Sequence, residues 1–387
     1  MDPDNKQIAA IYIHVPFCVK KCRYCDFYSC TDLKKIPVFL SCLKNEIRLR
    51  SDFSLQIDTI YFGGGTPSIL NPVDIAAILD MVRRHYNVGA NAEITVEMNP
   101  GTLEQGYFKE LFQAGVNRIS IGVQSFNDKK LEFLGRIHSA EEAVLTIETA
   151  AREGFENISL DMMFGLPFET QSLWQEDLET ALSMPVLHMS CYMLTIEENT
   201  PLAELAEQKA FVPIKDSVRF SFYKQTVHML EAAGFEHYEI SSFAKGKKNR
   251  SRHNSKYWNM SPYMGFGPAA HSYDGKKRSW NPGDLDAYID AVSSETAGFG
   301  EFELLTDDQK ILEVIMLSLR TMEGVDLAAF ESEFSASFEK WFAPTIEQVT
   351  QARFGNIKNR RFALTLEGQV RLDSILEAFA DRILTKE

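Results

Sequence analysis

Residues 11–27 read IYIHVPFCVKKCRYCDF. The first five alternate, with Ile11, Ile13 and Val15 on one side and Tyr12 and His14 on the other, as in a strand whose successive side chains face opposite ways. Directly after it come Cys18, Cys22 and Cys25 in CxxxCxxC spacing. Three soft thiolates on one short loop can hold three irons of a four-iron cubane and leave the fourth open. Zinc prefers four closed ligands, and this loop offers no obvious fourth one. A zinc knuckle or reactive thiols is the competing reading. Cys30 is off the triplet's spacing and reads as a nearby free thiol.

The strand–loop unit is the first of a series. Further β-like runs are Thr59–Phe62, Glu93–Met98, Arg118–Gln124, Asn157–Met163 and His188–Leu194. Amphipathic segments such as Pro72–His85, Leu103–Ala114, Ala140–Arg152 and Ser172–Leu182 lie between them. This alternation predicts parallel strands with helical crossovers. Each strand has one apolar face, and the other carries Thr95 and Glu97, Ser120 and Gln124, or Ser159 and Asp161. That second face is too polar for the filled interior of a closed eight-stranded barrel. It suits an incomplete barrel of about six units around a large polar ligand, an α/β fold of partial (β/α)6 TIM-like type. An open sheet with one solvated face is the plainer alternative.

The totals narrow the class. A chain of 387 residues is long enough for a main domain and a smaller one. The net charge of −14 argues against nucleic acid and against a polybasic membrane anchor. No apolar run approaches the ~20 residues of a membrane span, which leaves room for peripheral association with a membrane protein. The start, MDPDNKQIAA, is polar and acidic, unlike a secretory signal. Four of the six cysteines fall within Cys18–Cys30, which suggests metal ligands in a reducing, cytoplasmic setting more than disulfides.

A glycine turn, Tyr61-Phe62-Gly63-Gly64-Gly65-Thr66-Pro67, ends the second strand. It lets backbone groups approach a ligand closely, and no Lys-Ser or Lys-Thr follows to make a Walker loop. With the cysteine loop one strand earlier, the pattern resembles the radical S-adenosylmethionine (SAM) superfamily. The resemblance implies a 4Fe-4S cluster on Cys18, Cys22 and Cys25. It also implies SAM chelating the open iron, to be cleaved to a 5′-deoxyadenosyl radical. The stretches YIHVPFC, YFGGGTPS, EMNPGT, RISIGVQSF, LGRIH and DMMFGLP are similar to the coproporphyrinogen dehydrogenase branch and cover most of residues 10–170. By position they imply SAM contacts from Tyr12, Tyr24, Gly64, Gly65, Thr66, Glu97, Gln124, Arg136 and Asp161.

Two departures from that branch's dehydrogenases stand out. Phe27 occupies the place of their further cysteine, and only seventeen residues precede Cys18. Both features are similar to the HemW-type heme chaperones. Residues 253–258, HNSKYW, resemble the HNxxYW heme-binding motif of that family. The resemblance makes His253 the candidate heme ligand, with heme or a related porphyrin and a heme-acceptor protein as partners, and it points to a homodimer. An ordinary packed histidine is the plain reading of the same residues. His271 is a second heme candidate. His14 shares the inner face with Tyr12, and His138 reads as a structural loop residue.

The run Lys245–Arg252 is the densest basic stretch, either a solvated loop or an attractor of heme propionates or an acidic partner surface. Thr306 reads as an N-cap of a helix to about Arg320. With later helices and a strand near Phe362–Leu366, the tail resembles the small, mainly helical C-terminal domain of the same family, which implies a winged-helix-like form. The expected divisions are a core at 1–241, a heme-binding and connecting segment at 242–301, and a C-terminal domain at 302–387. Two functions follow: a heme chaperone, or an oxygen-independent coproporphyrinogen III dehydrogenase of porphyrin biosynthesis.

Overall fold

The computed structural model describes residues 8–101, 103, 106–294 and 300–384, apart from the side chain of residue 53. Six parallel strands lie side by side in chain order: β1 (Ile8–Val15), β2 (Asp52–Gly64), β3 (Tyr86–Met98), β4 (Arg118–Gln124), β5 (Ile158–Phe164) and β6 (His188–Met193). The crossover helices pack on their outer face. The helix Pro72–His85 begins with proline at its first position, where no N–H is needed, and ends on Arg83, Arg84 and His85, which suit the helix C-terminus. Ser139 and Glu142 form a reciprocal capping box that starts the helix Ala140–Arg152. Ile119, Ile121 and Val123 of β4, and Ile158, Leu160 and Met162 of β5, are fully buried in the shared core.

The sheet does not close. Beyond β6 it continues through β8 (Ser242–Ala244) to β7 (Glu236–Glu239), both antiparallel additions. Before β1 it continues through β9 (Tyr263–Phe266), parallel to β1, then β10 (His271–Tyr273), β11 (Lys277–Trp280) and β12 (Glu301–Leu304). The result is the expected partial (β/α)6 barrel, flanked by β9, parallel to β1, and by antiparallel strands, none of which the sequence reading foresaw. Glu46, fully buried on the helix Ile36–Leu49, locks this extension in place. Its carboxylate accepts hydrogen bonds from Arg50 (2.7 Å), Asn281 (2.9 Å), the Gly267 amide (2.9 Å) and the Tyr288 hydroxyl (2.8 Å).

A second core gathers residues 311–383 around Phe330, Phe338, Phe342, Phe362 and Phe379. The N-cap expected at Thr306 is present, with Gln309 completing a capping box before the helix Asp307–Ser318. Helices surround a small antiparallel sheet of β13 (Val325–Asp326), β14 (Gly355–Lys358) and β15 (Arg361–Leu364), so this smaller C-terminal region is mainly helical as expected. It joins the barrel through backbone bonds from Ile240 N–H to the Arg320 carbonyl (2.8 Å) and from Met322 N–H to the Tyr238 carbonyl (3.2 Å). Among the described residues no helix is long and apolar enough to cross a membrane.

Candidate functional site

The C-terminal ends of β1–β6 and the loops after them enclose a cavity of about 600 Å³. Cys18, Cys22 and Cys25 line it together with Tyr24, Gly64, Gly65, Thr66, Glu97, Gln124, Arg136 and Asp161. Each residue reaches it by a local rule. Glu97 and Asp161 lie on the inward parity of β3 and β5. Gln124 ends β4 with φ +65°, an unusual left-handed conformation that turns the chain at the strand end. Gly64, at φ +106°, and Gly65 bring the β2 loop against the cysteine loop, where a β-carbon on Gly65 would lie 2.5 Å from the Phe17 carbonyl oxygen. Only glycine permits that approach.

A hydrogen-bonded chain ties two of the cysteines together. Thr66 donates to Cys18 Sγ (3.5 Å), and Asn99 Nδ2 donates to Thr66 Oγ1 (2.9 Å). Arg136 donates to Asn99 Oδ1 (2.5 Å), to the Gly122 carbonyl (2.7 Å) and to Cys22 Sγ (3.4 Å). The third thiol is near: burial first, then the neighbouring Cys22 and Cys18 sulfurs, push Cys25 up. All six cysteines are free thiols. Among the described residues no three His, Cys, Asp or Glu side chains converge as ligands of one ion, as a structural zinc needs. A cubane instead spreads its thiolates over separate irons, and three sulfurs on one cavity wall fit that group. The Nε of Arg136 is buried without an acceptor, which suits a cavity built for an anionic ligand group.

The carboxylates are held at unusual protonation equilibria. Tyr61 donates to Glu97 Oε1 (2.6 Å), yet burial raises the Glu97 pKa to about 7, and Asp161 adds to the rise. Burial likewise raises Asp161 to about 6, against Arg118 and the Ser120 hydroxyl at 3.2 Å. Glu97 is half-buried on a cavity wall, so water reaches it and tempers the burial effect.

Behind this cavity lies an aromatic layer. Tyr12 stands outside the cavity lining: its ring stacks 6.3 Å from Tyr61 and its hydroxyl bonds His14 Nδ1 (3.2 Å). His14 Nε2 lies 3.1 Å from the Tyr28 carbonyl, and burial lowers its pKa to about 4. His253 stacks on Tyr61 at 4.9 Å and is 1% exposed. Its Nδ1 meets Thr59 Oγ1 and its Nε2 meets the Tyr257 hydroxyl, each at 3.0 Å, and its amide donates to Glu93 (3.0 Å). Burial lowers its pKa to about 3. The structure therefore seats His253 inside the barrel wall, apart from the cysteine cavity. His271 is exposed beside Trp280, and His138 bonds the Val123 carbonyl as a loop brace. The basic run is partly tied down: Arg252 pairs with Asp58 (3.1 Å), and Arg250 with Glu236 (3.3 Å) and Glu323 (3.5 Å).

Comparison with known proteins places this geometry. Residues 12–181 match the Radical SAM superfamily and residues 305–371 the HemN C-terminal domain. Heme chaperone HemW of Bacillus subtilis (strain 168) is 34% identical over 374 residues, which is 95% of this chain and 98% of that protein. The chain belongs to the HemW family of the radical SAM superfamily. Heme chaperone HemW of Escherichia coli (strain K12) is 40% identical over 268 residues, covering 68% of this chain and 69% of its own. A Danio rerio relative, radical S-adenosyl methionine domain-containing protein 1, mitochondrial, is 35% identical and covers 97% of this chain and 87% of its own. The solved structure of coproporphyrinogen III oxidase (HemN) from Escherichia coli superposes with a TM-score of 0.83 at 21% identity, over 98% of this chain and 91% of that one. At that identity the likeness is one of fold.

Sequence reasoning missed several members of this HemW-family site. Asn99 joins Thr66 to Arg136, and its signal was available: it continues the inward parity of Thr95 and Glu97. Arg118 is 1% exposed and faces Asp161 and Glu97 electrostatically. It shares the polar face of β4 with Ser120 and Gln124, but nothing local marks it as the counter-charge. Tyr192 and Met193, at the end of β6, also line the cavity, and short strand ends give no such warning.

Proposed function

We propose that the protein is a heme chaperone that binds a 4Fe-4S cluster, SAM and heme, and delivers heme to acceptor proteins. The observation that carries the reading is the full-length similarity to proteins named heme chaperones, extending through both matched families. Phe27 supports it, since the dehydrogenases of the branch carry a cysteine there. Cys18, Cys22 and Cys25 would hold the cluster. When bound and reduced, that group supplies an electron to the SAM sulfonium. Glu97 and Asp161 offer acceptors for the amine and ribose hydroxyls, Arg136 offers a donor to the carboxylate, and Gly64–Thr66 offers backbone groups. Met163 and Leu194 give the wall an apolar part that limits water.

His253 is the candidate heme ligand in this reading. Coordination through Nε2 requires Tyr257 to release its hydrogen bond, so heme uptake involves a local rearrangement of the helix Arg252–Trp258. The proposed division at residues 241 and 301 separates the SAM core, the HNxxYW segment and the C-terminal region. Cytoplasmic location and homodimer formation belong to the same proposal.

The test is an anaerobic comparison of two activities. Reconstituted protein is given heme and, separately, coproporphyrinogen with SAM and a strong reductant. Binding of heme with a Soret shift, weakened in His253→Ala, supports the chaperone. Formation of protoporphyrinogen with release of methionine and 5′-deoxyadenosine would instead identify a dehydrogenase.

A further inference from the structure

A second cavity, of about 690 Å³, lies between the helix Arg252–Trp258 and the C-terminal region. Its lining includes four aromatic residues: Tyr238, Trp258, Tyr273 and Phe330. Two guanidiniums reach it from different parts of the chain, Arg250 ahead of the helix and Arg361 on β15. Glu323 stands between them, 3.5 Å from Arg250 and 3.8 Å from Arg361. Its side chain is 57% exposed, so it can swing into water. The Arg250 guanidinium is held over the Tyr238 ring at 5.2 Å.

Two N–H donors of this lining are buried without an acceptor: Nε1 of Trp258 and Nε of Arg250. Buried donors are ordinarily paired, so two in one cavity call for acceptor oxygens. Glu323 shows what the guanidiniums accept, a carboxylate lying between two forks. Asp326, which pairs with Arg361 at 2.8 Å, and Glu333 also line the space, so a ligand anion there must sit at the guanidiniums and away from these two carboxylates. Four aromatic side chains with two guanidiniums at their edge suit a broad, flat aromatic ring bearing carboxylates.

The HNSKYW segment links this cavity to the proposed function. On its single helix, His253 and Tyr257 are four apart and bonded to each other against the barrel wall, whereas Ser255 and Trp258, three apart, line the second cavity. We propose that the second cavity receives the ring and carboxylates of a tetrapyrrole, with Trp258 and Tyr273 against the ring and Arg250 and Arg361 on the carboxylates in place of Glu323. This rests on the heme-binding reading and gives it a receiving site, separate from the question of which atom ligates iron.

The experiment uses the full chain, titrated with heme and with metal-free protoporphyrin IX, followed by absorbance and porphyrin fluorescence. Losing two charge-assisted contacts in the double variant Arg250→Gln/Arg361→Gln should weaken both probes by about tenfold or more. Trp258→Phe, which keeps a flat ring and removes one donor, should weaken them by about threefold. Glu323→Gln should tighten both probes, because it removes the one carboxylate shared by both arginines while Arg250 keeps Glu236 (3.3 Å) and Arg361 keeps Asp326 (2.8 Å), and a merely structural arginine pair predicts no gain. Binding of both probes to wild type, with affinities in the double variant and in Glu323→Gln within twofold of it, overturns the cavity and leaves heme binding intact. Heme binding without any porphyrin binding also overturns it, since recognition would then run through iron alone. Failure of wild type to bind either probe removes the heme reading itself, and the cavity assignment with it.

Discussion

Replacing Glu97 with Gln should stabilise the ligand-free protein by an amount that grows from about pH 4.5 and levels off above about pH 7. Burial raises this carboxyl from 4.5 to about 7. A raised acid pKa means the folded state holds its proton more tightly than the unfolded chain. Below about pH 4.5 both states are protonated and the group has no effect. Between 4.5 and 7 the unfolded chain ionises first, so folded stability falls as pH rises, and above 7 the loss levels off. At 1.36 kcal/mol per pH unit the full shift is about 3 kcal/mol. Water in the open cavity and shared titration with Asp161 reduce this to about 1–3 kcal/mol. Gln keeps the shape and still accepts the Tyr61 hydroxyl. Urea unfolding of both proteins without ligands should show stabilities within about 0.5 kcal/mol at pH 4.5 and a gain of about 1–3 kcal/mol for the variant at pH 8. Equal stability at pH 8, or a weaker variant, would refute the claim that an anion is held there against burial. The same variant should lose SAM affinity, most at high pH, where wild type carries the charge.

Three further outcomes are expected. Cys18→Ser, Cys22→Ser and Cys25→Ser should each fall well short of the roughly four irons of a cubane after anaerobic reconstitution, whereas Cys30→Ser should load normally; iron analysis with visible spectra checks this. Lys130, fully buried, contacts Glu169 and lies 2.5 Å from Asp177, so Lys130→Met strands two buried carboxylates and should cost about 3–5 kcal/mol in urea unfolding. Gly65→Ala would push a methyl group to 2.5 Å from the Phe17 carbonyl and should destabilise by about 1–3 kcal/mol, while Gly283→Ala, with open space around it, should melt like wild type.

The six core strands were legible because one face of each is apolar and the other polar over several residues. Arg118–Gln124 and Pro72–His85 fall within their expected limits, since a strict alternation and a proline start leave little freedom. Strand β9 was not legible. Tyr263–Phe266 is four residues long, and it becomes a strand by pairing with β1, some 250 positions earlier in the chain. The Glu46 cluster that secures it draws donors from Arg50, Gly267, Asn281 and Tyr288, a set no local pattern joins. Most of the candidate site was visible as motif positions. Asn99 and Arg118 share the inward parity of their strands, but the role of Arg118 as counter-charge to Asp161 and Glu97 was not legible.

By itself the sequence determined the cysteine loop, the glycine turn and the side of the sheet on which Glu97, Gln124 and Asp161 stand, because spacing of two along a strand fixes a face. Tertiary structure alone decided what lies across from them. It brought the Arg118 charge within electrostatic reach of the two carboxylates, turned His253 inward onto Tyr61, and left Trp258 on a separate cavity. Those outcomes depend on how distant strands and one short helix pack, and packing is settled by contacts between residues that sequence spacing does not relate.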